Sequence, residues 1–150
     1  MSCLNNNPDL NINSDTMYDR VGGQRFFIEL VNKFYDLVES DTLLRPMYPT
    51  DLNPGKSYLA GFLCQYWGGP TNYSDERGHP RLRMRHVKFS IGHQERDAWV
   101  QHMKAALNSM NISDEDMNTM EIYFENTATM MLNRWNIITS SRVIWGEKLY

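Results

Sequence analysis

Residues 65–92, QYWGGPTNYSDERGHPRLRMRHVKFSIG, constrain the fold more than any other stretch of the chain. The letters GGP at 68–70 end a helix, because glycine accepts the left-handed cap conformation and proline cannot continue a helix. We therefore predict a helix that ends near Trp67. Pro80 suits the first turn of a new helix, where its missing N–H would have no partner. The sequence thus predicts two helices joined by a polar loop.

The helix predicted after Pro80 carries a single histidine, His86. Helical spacing places four side chains on one face, namely Leu82, Arg83, His86 and Phe89, while Arg81 and Arg85 point elsewhere. An imidazole flanked by apolar groups, with a guanidinium nearby, suits a flat apolar ligand that has a metal and acidic edges, as haem does. A lone histidine on a short helix is more often a surface or packed residue. Spacing alone leaves both interpretations open.

The rest of the chain also has helical periodicity. Apolar residues between 24 and 39 recur at i, i+3 and i+4, and similar stripes predict helices at about 55–67, 93–110 and 114–135. A short helix is expected to begin after Asp15 or Thr16 and to end at Gly22-Gly23. No useful β alternation and no internal repeat occurs, so the predicted fold class is all-α.

Length and charge limit the classes of function. A chain of 150 residues predicts one domain with a full core. The 15 Lys and Arg and 18 Asp and Glu give a net charge of -3, which argues against nucleic acid and anionic membranes as partners. Cys3 and Cys64 fit neither a disulfide framework nor a zinc site, and the first 16 residues lack the features of a secretory signal. We expect a cytoplasmic protein without a membrane span.

Three segments are expected. Residues 1–15 are rich in Asn, Asp and Ser and predict a flexible N-terminal extension. Residues 16–135 form the predicted domain. Residues 136–150 are a C-terminal extension of mixed apolar and polar residues, which packs on the body or contacts another chain.

The wording of several motifs is more specific than their spacing. The run YWGGP, a following Tyr, and RGHPRLRMRH resemble the group II truncated haemoglobins, and VGG, FY, MYP and ERDAW occur in matching order. Together these motifs cover about residues 17–135. The resemblance implies a truncated globin fold, a two-over-two helical sandwich around haem b.

The resemblance also implies roles for individual residues. His86 would be the proximal iron ligand, and the ligand on the other side of the haem would meet Tyr35, Tyr48, Trp99 and Leu59. Further haem contacts would come from Arg83, Tyr73, Phe62, Leu82 and Phe89. Arg83 is the first choice for a propionate partner and Tyr73 the second, ahead of Lys56 and Arg77. Without the resemblance, Tyr35 would be interpreted as a packed tyrosine bonded to a backbone carbonyl.

The implied function is reversible binding of dioxygen and other diatomic ligands, used with nitric oxide or peroxide in redox chemistry rather than for bulk transport. Nitric oxide dioxygenase and peroxidase-like activity both stay open, and no catalytic residue is assigned. Re-reduction would need a separate reductase, and the protein would be a monomer or a homodimer. The alternatives are an oxygen store or sensor without turnover and a haem-free helical interaction module. His79, His93 and His102 are expected to be polar surface residues.

Overall fold

Residues 15–134 are described by a computed structural model, and they form helices joined by short connections. The helices are α1 (Met17–Val21), α2 (Gln24–Glu39), α3 (Asn53–Tyr66), α4 (Asn72–Arg77), α5 (Leu82–His86), α6 (His93–Asn108) and α7 (Asp114–Met130), with a 3₁₀ turn at Arg45–Met47. No strand occurs between residues 15 and 134, so the predicted all-α class is confirmed there. The predicted N-terminal extension, apart from Asp15, and the predicted C-terminal extension lie outside the described residues, as does Trp135.

The helix predicted over residues 24–39 is confirmed at those bounds, as α2. The apolar stripe of α2 provides fully buried side chains, among them Phe27, Leu30 and Phe34. These pack against α3 and α6, and α6 in turn packs on α7. The four long helices therefore share one core. No helix in the described range is long and apolar enough to cross a membrane.

The predicted start and stop signals are confirmed at several helix ends. The Thr16 hydroxyl caps α1 by accepting a hydrogen bond from the Asp19 N–H at 3.2 Å, and α1 ends at Gly22. Ser113 caps α7 by accepting from the Asp116 N–H at 3.1 Å. Trp67 caps the end of α3, as the GGP signal predicted.

Two helix boundaries and one predicted loop differ from the prediction. The helix that carries His86 begins at Leu82 rather than at Pro80. Arg81 has a φ of 43°, and a left-handed residue cannot continue a right-handed helix. The last helix ends at Met130 rather than at 135, with Met131 as its cap. Residues 72–77, interpreted as loop, form α4, whose Tyr73 is buried.

Candidate functional site

A cavity of ≈ 340 Å³ lies between the long helices and α5. It is lined by these residues among those predicted for the site: Tyr35, Tyr48, Leu59, Phe62, Tyr73, Leu82, His86, Phe89 and Trp99. Arg83 does not line the cavity and is exposed. Apolar residues from the core, such as Phe34, Leu63 and Phe124, complete much of the wall.

His86 is held in one tautomer by its own helix. Its Nδ1 lies 2.6 Å from the carbonyl oxygen of Leu82. A carbonyl oxygen can only accept, so Nδ1 carries the proton in this hydrogen bond. The lone pair of Nε2 is then available to a metal, which is the arrangement that a neutral histidine ligand requires.

Three polar aromatic residues reach the cavity from different parts of the chain. Tyr35 comes from α2, Tyr48 follows the 3₁₀ turn, and Trp99 comes from α6. The rings of Tyr35 and Tyr48 are in edge contact, with centroids 5.6 Å apart. Trp99 also affects Tyr48, because hydrogen bonding from Trp99 favours the ionised phenol and opposes the effect of burial on its pKa.

Both phenols keep their protons at neutral pH. Burial raises the pKa of Tyr35 to about 12. Burial also raises the pKa of Tyr48, the neighbouring Tyr35 adds to that shift, and the hydrogen bond with Trp99 opposes it. Within the described part of the chain, no backbone carbonyl accepts from the Tyr35 hydroxyl, so the carbonyl-bonded arrangement considered from sequence is not found.

Gly55 leaves room for the Tyr35 hydroxyl. A Cβ atom built at position 55 would lie 2.6 Å from the Tyr35 oxygen, well inside contact distance. The Lys56 ammonium lies 5.9 Å from the centroid of the Tyr35 ring. The wall of α3 is therefore shaped around this tyrosine.

Of the described residues, three arginines line the cavity, namely Arg77, Arg85 and Arg96, and the expected Arg83 is not among them. Arg77, at the end of α4, lines the cavity and lies 3.6 Å from the centroid of the Tyr58 ring. Its Nε is buried and has no hydrogen-bond partner in the described structure. Arg85 also lines the cavity, although the sequence indicated that it points elsewhere, and it donates to the carbonyl oxygens of Pro80 and Arg77 at 2.7 and 3.0 Å.

The residues of the cavity fit haem. One wall presents an imidazole whose Nδ1 is bonded to a carbonyl oxygen, the body of the cavity is largely apolar, and Arg77 leaves a buried N–H group without a partner. Haem is planar and apolar, which matches the body of the cavity. Its central metal can bind the imidazole, and a carboxylate at its edge can accept a hydrogen bond from the Arg77 N–H. The fit rests on the residues of this chain and needs no further donor.

His102 has a role that the sequence did not reveal. Its Nε2 lies 2.6 Å from Oδ2 of Asp41, which follows α2. Oδ1 of the same carboxylate accepts from the N–H groups of Leu43 and Leu44 at 2.7 and 3.1 Å. The hydrogen bond with His102 lowers the pKa of Asp41. The pair links the turn that precedes Tyr48 to α6, which carries Trp99.

Comparison with known proteins gives a consistent result. The model of the bacterial-like globin family matches residues 16–133. The group 2 truncated hemoglobin YjbI of Bacillus subtilis is 38% identical over 112 residues, which cover 75% of this chain and 85% of that relative. The structure of the hemoglobin from Chloroflexus aurantiacus has a TM-score of 0.78 at 50% identity, covering 79% of this chain and 98% of that chain. The truncated oxygen-avid haemoglobin from Bacillus subtilis has a TM-score of 0.75 at 37% identity, covering 79% and 100%.

Proposed function

This chain belongs to the bacterial-like globins and, among them, to the group II truncated haemoglobins, and from that premise we propose that His86 ligates the iron of haem b in its cavity while Tyr35, Tyr48 and Trp99 hold dioxygen. The family makes the protein a haem-binding globin that binds dioxygen, and its fold is the two-over-two helical sandwich. Bound haem supplies the iron at which diatomic ligands are held. The proposal is carried by one observation, the convergence of His86 and the three polar aromatic residues on a single cavity.

The proximal role of His86 is supported by its hydrogen bond. The Leu82 carbonyl keeps the proton on Nδ1 and orients the ring, so Nε2 is the nitrogen that can bind a metal. Both residues lie in the five-residue helix α5. The imidazole therefore moves only as that helix moves.

The distal role of the aromatic residues is supported by their protonation. Negative charge that develops on the outer atom of dioxygen is stabilised by O–H and N–H donors, whereas carbon monoxide gains much less from them. Tyr35, Tyr48 and Trp99 all line the cavity, so each can present its O–H or N–H to the ligand. Each donor contributes about 1–3 kcal/mol in a dry site, or roughly tenfold to a hundredfold in the dissociation rate.

We place the haem carboxylates at Arg77 rather than at Arg83. Arg77 lines the cavity and its buried Nε has no hydrogen-bond partner, whereas Arg83 is exposed and does not line the cavity. A carboxylate beside Arg77 would form a charge-assisted hydrogen bond where the guanidinium now has none. Tyr73, buried in the same wall, is the second candidate.

Slow release of dioxygen favours reaction in place over delivery, and we propose use in redox chemistry. In the nitric oxide reaction, one dioxygen, one nitric oxide and one electron give one nitrate, and a separate reductase supplies the electron. In the peroxide reaction, hydrogen peroxide oxidises a donor. The structural relative from Bacillus subtilis is described as oxygen-avid, which supports the proposal that this chain also releases dioxygen slowly. We also propose that the protein is a monomer or a homodimer and that it lies in the cytoplasm.

The test is the dioxygen dissociation rate of the haem-loaded protein, measured by stopped flow. Tyr48→Phe and Trp99→Phe should each accelerate release about tenfold or more, since each removes one donor. Tyr66→Phe is the matched control, because Tyr66 is 51% exposed and does not line the cavity. Unchanged release in both cavity variants would contradict the distal assignment.

A second measurement separates turnover from storage. The oxy form is mixed with nitric oxide, and nitrate is measured against the dioxygen consumed. Stoichiometric nitrate supports the redox function. Rapid dioxygen release without nitrate, and without peroxide-driven oxidation of a phenolic donor, would instead identify an oxygen store or sensor.

A further inference from the structure

The loop that follows His86, residues 87–92, is held by the amide side chain of Asn133, which lies just after α7. The Nδ2 atom of Asn133 donates to the Phe89 carbonyl oxygen at 2.7 Å and lies 3.4 Å from the His86 carbonyl oxygen. Its Oδ1 accepts from the Ile91 N–H at 2.8 Å. The backbone N–H groups of Asn133 and Arg134 both donate to the Ile91 carbonyl, at 3.0 and 3.1 Å. Asn133 thus bonds to backbone groups along the whole loop.

A second contact holds the far end of the same loop. The Arg134 guanidinium donates to both carboxylate oxygens of Glu95, at 2.7 and 3.0 Å, and Glu95 is only 9% exposed. Oε2 of Glu95 also accepts from the Gly92 N–H at 3.1 Å, where α6 begins. A Cβ atom at Gly92 would lie 2.7 Å from the Arg134 guanidinium, so only glycine lets the arginine approach this closely.

Helix α5 depends on such contacts because it has only five residues. A helix of this length is not stable by itself, since so few hydrogen bonds cannot offset the cost of nucleation. Arg85 ties its N-terminal side to the carbonyl oxygens of Pro80 and Arg77. Its C-terminal side continues into the loop held by Asn133. Because His86 Nδ1 is bonded inside α5, whatever fixes this helix also fixes the imidazole.

We infer that Asn133 is a positioning residue for His86: it holds α5 through the Phe89 and His86 carbonyls and so sets how Nε2 approaches the haem iron. The inference rests on the proposed role of His86 as the iron ligand. Arg134 and Glu95 form the second attachment, and they act on the loop through Gly92.

Two variants separate the donor and acceptor functions of Asn133. Asn133→Asp keeps an oxygen that can accept from the Ile91 N–H but loses the N–H groups that donate to the Phe89 and His86 carbonyls. Asn133→Leu loses both functions at similar side-chain volume. Asn126→Asp is the control, since Asn126 is an exposed residue of α7, the helix that precedes Asn133.

The first measurement is amide hydrogen exchange of the haem-free protein. A far-UV circular dichroism spectrum of each variant confirms that it is folded. In Asn133→Leu we expect the Ile91 amide to exchange about tenfold faster or more, because it loses its acceptor. In Asn133→Asp the same amide should keep most of its protection. If Ile91 exchange is unchanged in Asn133→Leu, the attachment itself is refuted, whether or not the protein binds haem.

The second measurement is the iron–histidine stretching band of the ferrous haem protein, together with the rate of haem transfer to a scavenger globin. Both variants should shift or broaden the band and lose haem about tenfold faster, while Asn126→Asp should match the wild type. An unchanged band and transfer rate in folded Asn133 variants would overturn the positioning role. If Asn133→Leu does not fold, Asn133→Asp decides the question. Absence of haem binding in the wild type would refute the proposed function instead.

Discussion

Replacing Gly55 by alanine should destabilise the protein only while Tyr35 keeps its hydroxyl. The added Cβ would lie 2.6 Å from the Tyr35 oxygen, so that oxygen must retreat by about 0.8 Å to reach an ordinary contact of 3.4 Å. Tyr35 is 5% exposed and is in edge contact with the rings of Phe34 and Tyr48. Forcing an extra carbon into such packing costs about 1–3 kcal/mol, against a gain of up to about 1 kcal/mol in helix propensity. We expect a net loss of about 1 kcal/mol.

Tyr35→Phe removes the clash and changes the sign. The next nearest atom to the added Cβ is the ring Cζ at 3.5 Å, an ordinary contact. In that background Gly55→Ala should be neutral or should stabilise by about 0.5 kcal/mol. Urea unfolding of the wild type, both single variants and the double variant gives the coupling free energy, which we predict to be about 1–1.5 kcal/mol. Gly61→Ala is the control on α3, since its Cβ would lie 3.8 Å from the nearest atom.

A cost of Gly55→Ala that is the same with Tyr35 and with Phe at position 35, within about 0.3 kcal/mol, would refute the steric argument. Gly61→Ala should stabilise by about 0.5–1 kcal/mol whatever stands at position 35. In the haem-loaded protein, Gly55→Ala should also accelerate dioxygen release, because it displaces the Tyr35 hydroxyl from the cavity.

Two further predictions concern charged groups. The hydrogen bond with His102 lowers the pKa of Asp41 in the folded protein. The ionised Asp41 therefore stabilises the fold at pH values above 3.8, its ordinary pKa, and this stabilisation is lost as the pH falls through the lower pKa of the folded state. Asp41→Asn should therefore cost about 1 kcal/mol in urea unfolding at pH 7, and this cost should vanish in acid; an equal cost at both pH values would contradict it. Arg77→Met should accelerate haem loss about tenfold, and Arg83→Met should not; the reverse order would restore Arg83 as the propionate partner.

The long helices were predictable because their signals are local. The stripe of α2 repeats at helical spacing, and glycine, proline and capping residues mark where helices end. Helix α4 has no apolar period, and it is held by contacts with α3: Gln65 donates to the Ser74 hydroxyl at 2.7 Å and accepts from the Ser74 N–H at 3.0 Å. The residues that stabilise it lie outside its own sequence, so a local pattern could not predict it.

The prediction from sequence groups Arg83 rather than Arg85 with His86 on one face of α5, and the structure reverses this choice. The cavity face of α5 repeats at i, i+3, i+4 and i+7, which places Leu82, Arg85, His86 and Phe89 together. Arg83 follows Leu82 and lies about 100° away around the helix, so it is exposed. Where α5 begins does not change these angles, which follow from the helical repeat alone. Spacing left the role of His86 open, and its proposed role as the iron ligand comes from the resemblance of the surrounding motif.

The link between Asp41 and His102 spans 61 positions of the chain. Periodicity describes neighbours a few residues apart, so it carries no information about such a pair. The contacts of Asn133 with the loop after His86 span 42 to 47 positions and escape sequence reasoning for the same reason. The features that position the site are thus the ones that depend most on the assembled fold.

The measurement that tests the central claim most directly is a haem titration followed by absorption spectroscopy, on the wild type and on His86→Gly with and without added imidazole. We predict one haem per wild-type chain, a ferrous spectrum of a histidine-ligated haem, and a stable oxy form on exposure to air. His86→Gly should lose the histidine-ligated spectrum and regain it with imidazole, which fills the space of the missing ring. A histidine-ligated ferrous spectrum in His86→Gly without imidazole, or no stoichiometric haem uptake by the wild type, would contradict the account.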